Sequence, residues 1–200
     1  MAKPLKQSFY ARDTVQVARD LIGKRLVSEI DGVRTSGVIV ETEAYLPRGD
    51  SACHAFKHRT DRTEVMFGPA GFAYVYPIHS RFCFNIVTEQ TELGCAVLIR
   101  SLEPREGVGE IETRRGLNEW RRLTTGPARL CQAMAIDRAI DRLDVTAGEL
   151  VWVEEDCVAN GVAMAIKSSK RIGVTSAKSK RLRYYVSGNR YVSGPLGMRT

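Results

Sequence analysis

Apolar residues along this chain recur with two periods, which divide it into a helical opening and a long strand-rich body. Val15, Ala18, Leu21 and Ile22 fall at helical spacing behind Asp13, which has Gln16 three residues on in a capping-box arrangement. Gly23 can end the turn in a left-handed conformation, so the spacing predicts a helix over about 14–22. From there the period shortens to two. KRLVSEI, the pair Asp31-Gly32 and VRTSGVIVETEAY predict a hairpin with a tight turn. AYVYPI and FCFNIVT, on either side of His79-Ser80, predict a second hairpin in which Pro77 belongs at an edge or a bulge. CAVLIRSL is apolar almost throughout and reads as a strand buried on both faces. PREGVGEIETRR and GPARLCQAMAID read as helices, the second with Pro127 in its first turn and Leu130, Ala133 and Met134 as its core face; LVWVE, RIGV and RYYVSG read as short strands. Hairpin-joined strands without regular β-α-β alternation predict a mixed α/β (α+β) fold, a curved and mainly antiparallel sheet flanked by helices. No repeat or linker divides the 200 residues, so residues 1–200 are expected to form a single domain.

Charge changes this picture more than composition does. Thirty Lys and Arg against twenty-three Asp and Glu give +7, which favours a polyanionic partner. Seven of the basic residues lie between Lys167 and Arg183 with no acid among them, and KHRTDR forms a shorter cluster at 57–62. Such runs fit a solvated surface and a phosphate-tracking surface equally. No stretch approaches the about 18 consecutive apolar residues of a membrane span, and the first residues lack the apolar core of a secretory signal. A soluble, intracellular protein is expected, in the cytoplasm or nucleoid of a bacterium or the nucleus of a eukaryote. The five cysteines are scattered through apolar strings, where thiols behave as small hydrophobes. With no CxxC, HExxH or comparable cluster, neither a metal nor a cofactor is expected.

One junction concentrates chemistry. In VETEAYLPRGDSACHAFKH (40–58) a strand ends in a loop, and Glu41 and Glu43 stand among apolar residues. Strand alternation sends Ile39, Glu41, Glu43 and Tyr45 one way, with the two glutamate Cα atoms roughly 6.5 to 7 Å apart. An exposed edge whose acids pair with Lys or Arg explains such a pattern, and so do paired carboxylates acting on a sugar. Tyr45, His54, His58, Tyr74 and Tyr76 bring aromatic faces to the same end of the sheet, and aromatic platforms with cations hold unstacked bases.

VETEAYLPRGDSACHA, the AYVYPI and FCFN pair, AVLIRSLEP and TGPARLCQAMAI together resemble the alkyladenine (3-methyladenine) DNA glycosylases, in order and spacing, from about Leu5 to Val192. The resemblance implies a monomeric, metal-free enzyme that enters the minor groove of damaged double-stranded DNA with a hairpin. It further implies that a damaged nucleotide is swung into a pocket and its base removed by water. Residue by residue, Glu43 matches the general base that activates the water, and Glu41 becomes a structural partner in a salt bridge. Arg100 is placed near the water and the target nucleotide's phosphate, although a buried salt bridge would account for it too. Tyr45, facing His54 and Tyr76, matches the stacking walls; His54 also matches the residue that bonds the purine 6-position, as donor or acceptor. Asn85 corresponds to the position that excludes the guanine 2-amino group, and Leu98 to a pocket wall. Arg59 matches a phosphate contact.

The chain departs from the family at the hairpin tip. PIHSR is one residue shorter than the usual stretch and places His79 where a wedging tyrosine is expected, with Arg81 or Phe82 sharing the task at the DNA. Two other readings compete with the enzyme: a DNA-binding module of the same fold without catalysis, and a sugar hydrolase that uses both glutamates.

Overall fold

The computed structural model describes residues 3–78, 80–156 and 164–194. Helices α1 (Gln7–Tyr10) and α2 (Thr14–Asp20) precede a hairpin of β1 (Arg25–Ile30) and β2 (Val33–Tyr45). Strands β3 (Ala73–Ile78), β4 (Arg81–Val87) and β5 (Ala96–Glu106) follow, then helices α3 (Val108–Arg115), α4 (Trp120–Leu123) and α5 (Pro127–Ala133). Strands β6 (Val151–Glu154), β7 (Ile166–Ser169) and β8 (Arg183–Val186) close the series. The sheet runs β3-β4-β5-β2-β1-β6, with β8 joined to β2 and β7 to β8, and every pairing is antiparallel. The fold is α+β, as the hairpin pattern predicts.

Local chemistry accounts for the boundaries. Asp13 caps α2 by accepting from the Gln16 amide at 2.9 Å. Asp31 and Gly32 both have positive φ (54° and 73°), as a two-residue hairpin turn requires. Pro77 lies on β3, the edge strand, where its missing N–H leaves no ladder bond unmade. The α2 stripe, inward residues of β1 to β5 (Leu26, Ile39, Val75, Phe84, Ile99, Leu102) and Leu130 and Met134 of the α5 segment form one apolar core. Cys53, Cys83, Cys95 and Cys131 are buried free thiols, while Cys157 lies outside the described residues. Among the described residues no helix is long and apolar enough to cross a membrane.

Three expectations need correction. PREGV does not begin a helix: Pro104 and Glu106 still pair with Gly37 and Ser36, and α3 starts after Gly107 at φ 66°, where a Cβ would lie 2.6 Å from the Arg34 carbonyl. Gly37 is likewise obligatory, since a Cβ there would meet the Glu103 carbonyl at 2.9 Å. RIGV is not a strand; it forms a loop, and β7 comes earlier, in IKSS, a segment without the alternating apolar signal. Ile39 does not share a face with Glu41 and Glu43, because an irregularity between them shifts the alternation.

Candidate active site

That irregularity builds the site. Ile39 pairs with Leu102, Glu41 with Ser101 and Thr42 with Ile99, so Val40 on β2 and Arg100 on β5 each lack an opposite residue. A bulge of this kind bends the strand and re-aims side chains. Ile39 enters the main core, Val40 joins Tyr185 and Tyr191, and Thr42 turns to α2, donating to the Ala18 carbonyl at 2.7 Å. Glu41, Glu43 and Tyr45 are left on the opposite side. At the same point β2 exchanges its neighbour β1 for β8, which pairs with Glu41–Glu43.

Glu41 is 0% exposed and fully engaged. One oxygen accepts from Arg100 Nε (2.9 Å), Arg183 Nε (2.7 Å) and the Ser193 hydroxyl (2.9 Å), the other from the Ser193 amide (2.7 Å). Burial works to raise its pKa, but the two guanidiniums and these hydrogen bonds outweigh it and hold the carboxyl below its ordinary range. It is the salt-bridged partner expected of it. A pair of glutamates sharing hydrolytic work is disfavoured, since both oxygens of Glu41 are already taken up by buried donors and two guanidiniums.

Glu43 is equally buried but more lightly held. Oε1 accepts from the Ile172 amide at 2.8 Å, and Oε2 from the Tyr45 hydroxyl at 2.9 Å, with Arg100 Nη1 at 3.3 Å. Burial and the neighbouring Glu43 push the Tyr45 phenol well above its usual pKa, so it remains a donor. Burial also opposes the Arg100 charge, but Glu43 and Glu41 more than restore it, and the guanidinium stays protonated.

Tyr45, Ile172 and Arg100 border a cavity of about 740 Å³; His54, Tyr76, Asn85 and Leu98 line it as well. Glu43 stands one layer behind that wall. His54 packs edge-on against Tyr76 (ring centroids 4.6 Å apart, 78° between planes), and its Nδ1 lies 2.9 Å from the Tyr74 hydroxyl. His54 is exposed at the cavity mouth, yet partial desolvation of its ring and the nearby Arg62 both lower its pKa, which favours the neutral imidazole. Asn85 is pinned by donating from Nδ2 to the Tyr74 carbonyl at 3.0 Å. Seven residues singled out from the sequence (Glu43, Tyr45, His54, Tyr76, Asn85, Leu98 and Arg100) thus meet in one place.

Of the remaining three, the two that are described, Arg59 and Arg81, do not join them. Arg59 is exposed and clasped by Glu64 (2.6 Å from both Nε and Nη2) and Glu92 (2.8 Å). Arg81 is exposed at the start of β4, on the hairpin tip. His79 lies outside the described residues.

Sequence reasoning missed the groups that fix the wall. Arg171 is sealed in the interior, paired to Asp50 at 2.5 and 2.7 Å, bonded to the Ala44 carbonyl and set 4.6 Å from the Tyr45 ring centre. It anchors the loop whose next residue supplies the amide to Glu43. Two members of the basic run, Arg171 and Arg183, are therefore interior ion-pair partners and not surface charges.

An α+β fold that backs an aromatic-walled cavity with a buried carboxylate has clear relatives. A family profile described as Methylpurine-DNA glycosylase (MPG) matches residues 8–190. A protein of Carboxydothermus hydrogenoformans is 43% identical over 94% of this chain and 98% of its own length. One of Methanoculleus marisnigri is 43% identical over 94% and 98%, and one of Legionella pneumophila 42% identical over 96% and 98%. Each bears the name "Putative 3-methyladenine DNA glycosylase". The chain belongs to the methylpurine-DNA glycosylase family, a group of DNA repair enzymes.

Proposed function

We propose that this chain, acting as a monomer, hydrolyses the N-glycosidic bond of alkylated or deaminated purines of the 3-methyladenine, hypoxanthine and ethenoadenine class in double-stranded DNA. The damaged nucleotide rotates out of the helix, and its base enters the cavity between Tyr45 on one side and His54 and Tyr76 on the other. Aromatic faces accept any flat purine and attract an alkylated, cationic one more strongly.

The observation that carries the proposal is the setting of Glu43: each of its three polar contacts, Tyr45, Ile172 and Arg100, is itself a wall of the cavity. Positive charge grows on the sugar as the bond to the base breaks. A nearby carboxylate is worth more against that charge than against the neutral ground state. Glu43 also orients the attacking water and takes its proton, while Arg100 steadies both the carboxylate and the nucleotide's phosphate. Because Glu43 lies behind the wall, arrival of the nucleotide has to part Tyr45 or Arg100 from it far enough to admit the water. Leu98 and Asn85 shape the floor, Asn85 against the 2-amino group of guanine. No metal or cofactor enters the scheme.

Duplex oligonucleotides that carry hypoxanthine, ethenoadenine or a methylated purine test it. Wild-type protein should leave alkali-labile abasic sites, and Glu43→Gln should bind the same duplexes without cutting them; undiminished excision by that variant would falsify the assignment.

A further inference from the structure

Arg62, in the loop that follows His54, has no part in the reaction scheme above, yet it touches both residues that hold His54. Its Nε donates to the Tyr74 hydroxyl at 3.3 Å, and its guanidinium lies 5.5 Å from the centre of the Tyr76 ring. Tyr74 in turn meets His54 Nδ1 at 2.9 Å, and Tyr76 packs against the imidazole face to edge.

The direction of the hydrogen bonds follows from what each group can do. A guanidinium only donates, so one lone pair of the Tyr74 oxygen is taken by Arg62. The hydroxyl has a single proton, and Tyr74 is 1% exposed. If His54 also donated to this oxygen from Nδ1, the hydroxyl proton would need another acceptor, and His54 Nδ1 is the acceptor within reach; a buried donor left unpaired is disfavoured. The hydroxyl therefore donates to Nδ1. In a neutral imidazole with Nδ1 accepting, the proton resides on Nε2.

We propose that Arg62 is a positioning residue for base selection: through Tyr74 it fixes His54 in the tautomer that accepts on Nδ1 and presents an Nε2–H donor to the cavity. The proposal rests on the reading of the cavity as a damaged-purine pocket, and it narrows which purines are favoured. A base that turns an oxygen or an unprotonated nitrogen toward Nε2, as hypoxanthine and ethenoadenine do, gains a hydrogen bond. A base that turns an amino group toward it, as adenine and 3-methyladenine do, sets donor against donor. The imidazole that the sequence left free to serve either kind of base is committed to one.

Nitrogen-15 spectra of the full chain labelled at histidine test this directly. The sequence contains three histidines, so loss of one set of signals in His54→Gln identifies His54. In the wild-type protein at neutral pH, Nδ1 should show the shift of an unprotonated acceptor and Nε2 that of a proton-bearing nitrogen. Arg62→Met, at an exposed position, and Tyr74→Phe should each convert this pattern to a mixture of tautomers. In the same two variants the ratio of hypoxanthine to 3-methyladenine excision should fall about tenfold, the worth of one hydrogen bond. A proton on Nδ1 of the wild-type ring, or a pattern unmoved by Arg62→Met, overturns the proposal even if the protein excises damaged bases. Conversely, absence of excision with the expected spectrum would defeat the functional reading and leave the tautomer assignment standing.

Discussion

Glu41 and Glu43 share a strand, a face and complete burial, yet they differ in what surrounds them. Glu41 has Arg183, a bond from Arg100 and both donors of Ser193. Glu43 has two neutral donors and a longer contact with the same Arg100. The first carboxylate is satisfied by charge and locks β2, β5 and β8 together. The second is held in place by groups that belong to the cavity wall. Identity of residue type therefore says little here; the compensation around each acid separates a structural charge from the one proposed to react.

Substitution at Glu43 should produce the largest effect and the sharpest contrast. Glu43→Gln keeps the acceptor for the Ile172 amide but removes the base, so excision should drop by on the order of 10³-fold, within the range for positioned general bases. Folding stability should change by only about 1 kcal/mol, the scale of one altered hydrogen bond. Single-turnover excision and thermal unfolding of the same preparation give both numbers. A variant that unfolds without losing chemistry per folded molecule would erase the distinction between the two acids.

At Glu41 the balance should reverse. Glu41→Ala strands two buried guanidiniums, and breaking a buried pair from one side costs about 3–5 kcal/mol, so the loss should appear in denaturant unfolding. The pH dependence has a definite sign. The folded state holds the Glu41 and Asp50 pKa values below their ordinary range. Their contribution is thus complete above the unfolded-state pKa and fades as pH falls through the folded-state value, below about pH 4. Wild-type stability should fall steeply on that acid limb, and Glu41→Ala should flatten it.

How much of this arrangement was legible beforehand follows from what a one-dimensional pattern can hold. Alternation and the Asp31-Gly32 pair located both hairpins, since those signals are local and each has a single backbone solution. The strings VETEAYLPRGDSACHA and AYVYPI, compared with a known family, singled out Glu43, Tyr45, His54 and Tyr76, which the fold brings together. The bulge at Val40 escaped notice because no residue type announces it; it arises from how β2 and β5 register. The roles of Arg171 and Arg183 escaped for a different reason. Their partners, Asp50 and Glu41, are 121 and 142 residues away, and a basic run carries no mark of which members turn inward. The amide of Ile172 is backbone, invisible to any reading of side chains, and a β-branched pair in RIGV pointed to a strand where the chain instead folds into a loop over Glu43.

Arg59 extends the comparison to the surface, where the smallest effect is expected. Like Arg183 it is held by carboxylates, Glu64 and Glu92, at distances as short as those inside, but all three side chains are 42–69% exposed. Water screens such pairs, and exposed ion pairs contribute about 0–1 kcal/mol. Arg59→Met should therefore barely move the unfolding midpoint. Its charge is already answered by two acids, so a phosphate would have to displace both to gain it. DNA affinity should change less than twofold, and the slope of log affinity against log salt should stay where it is, whereas a true phosphate contact contributes about 0.9 to that slope for each charge neutralised. Binding measured from low to high salt decides the matter: a slope reduced by about one in Arg59→Met would mean that DNA does break this clasp, and that exposed arginine is kept available in a way its buried counterparts are not.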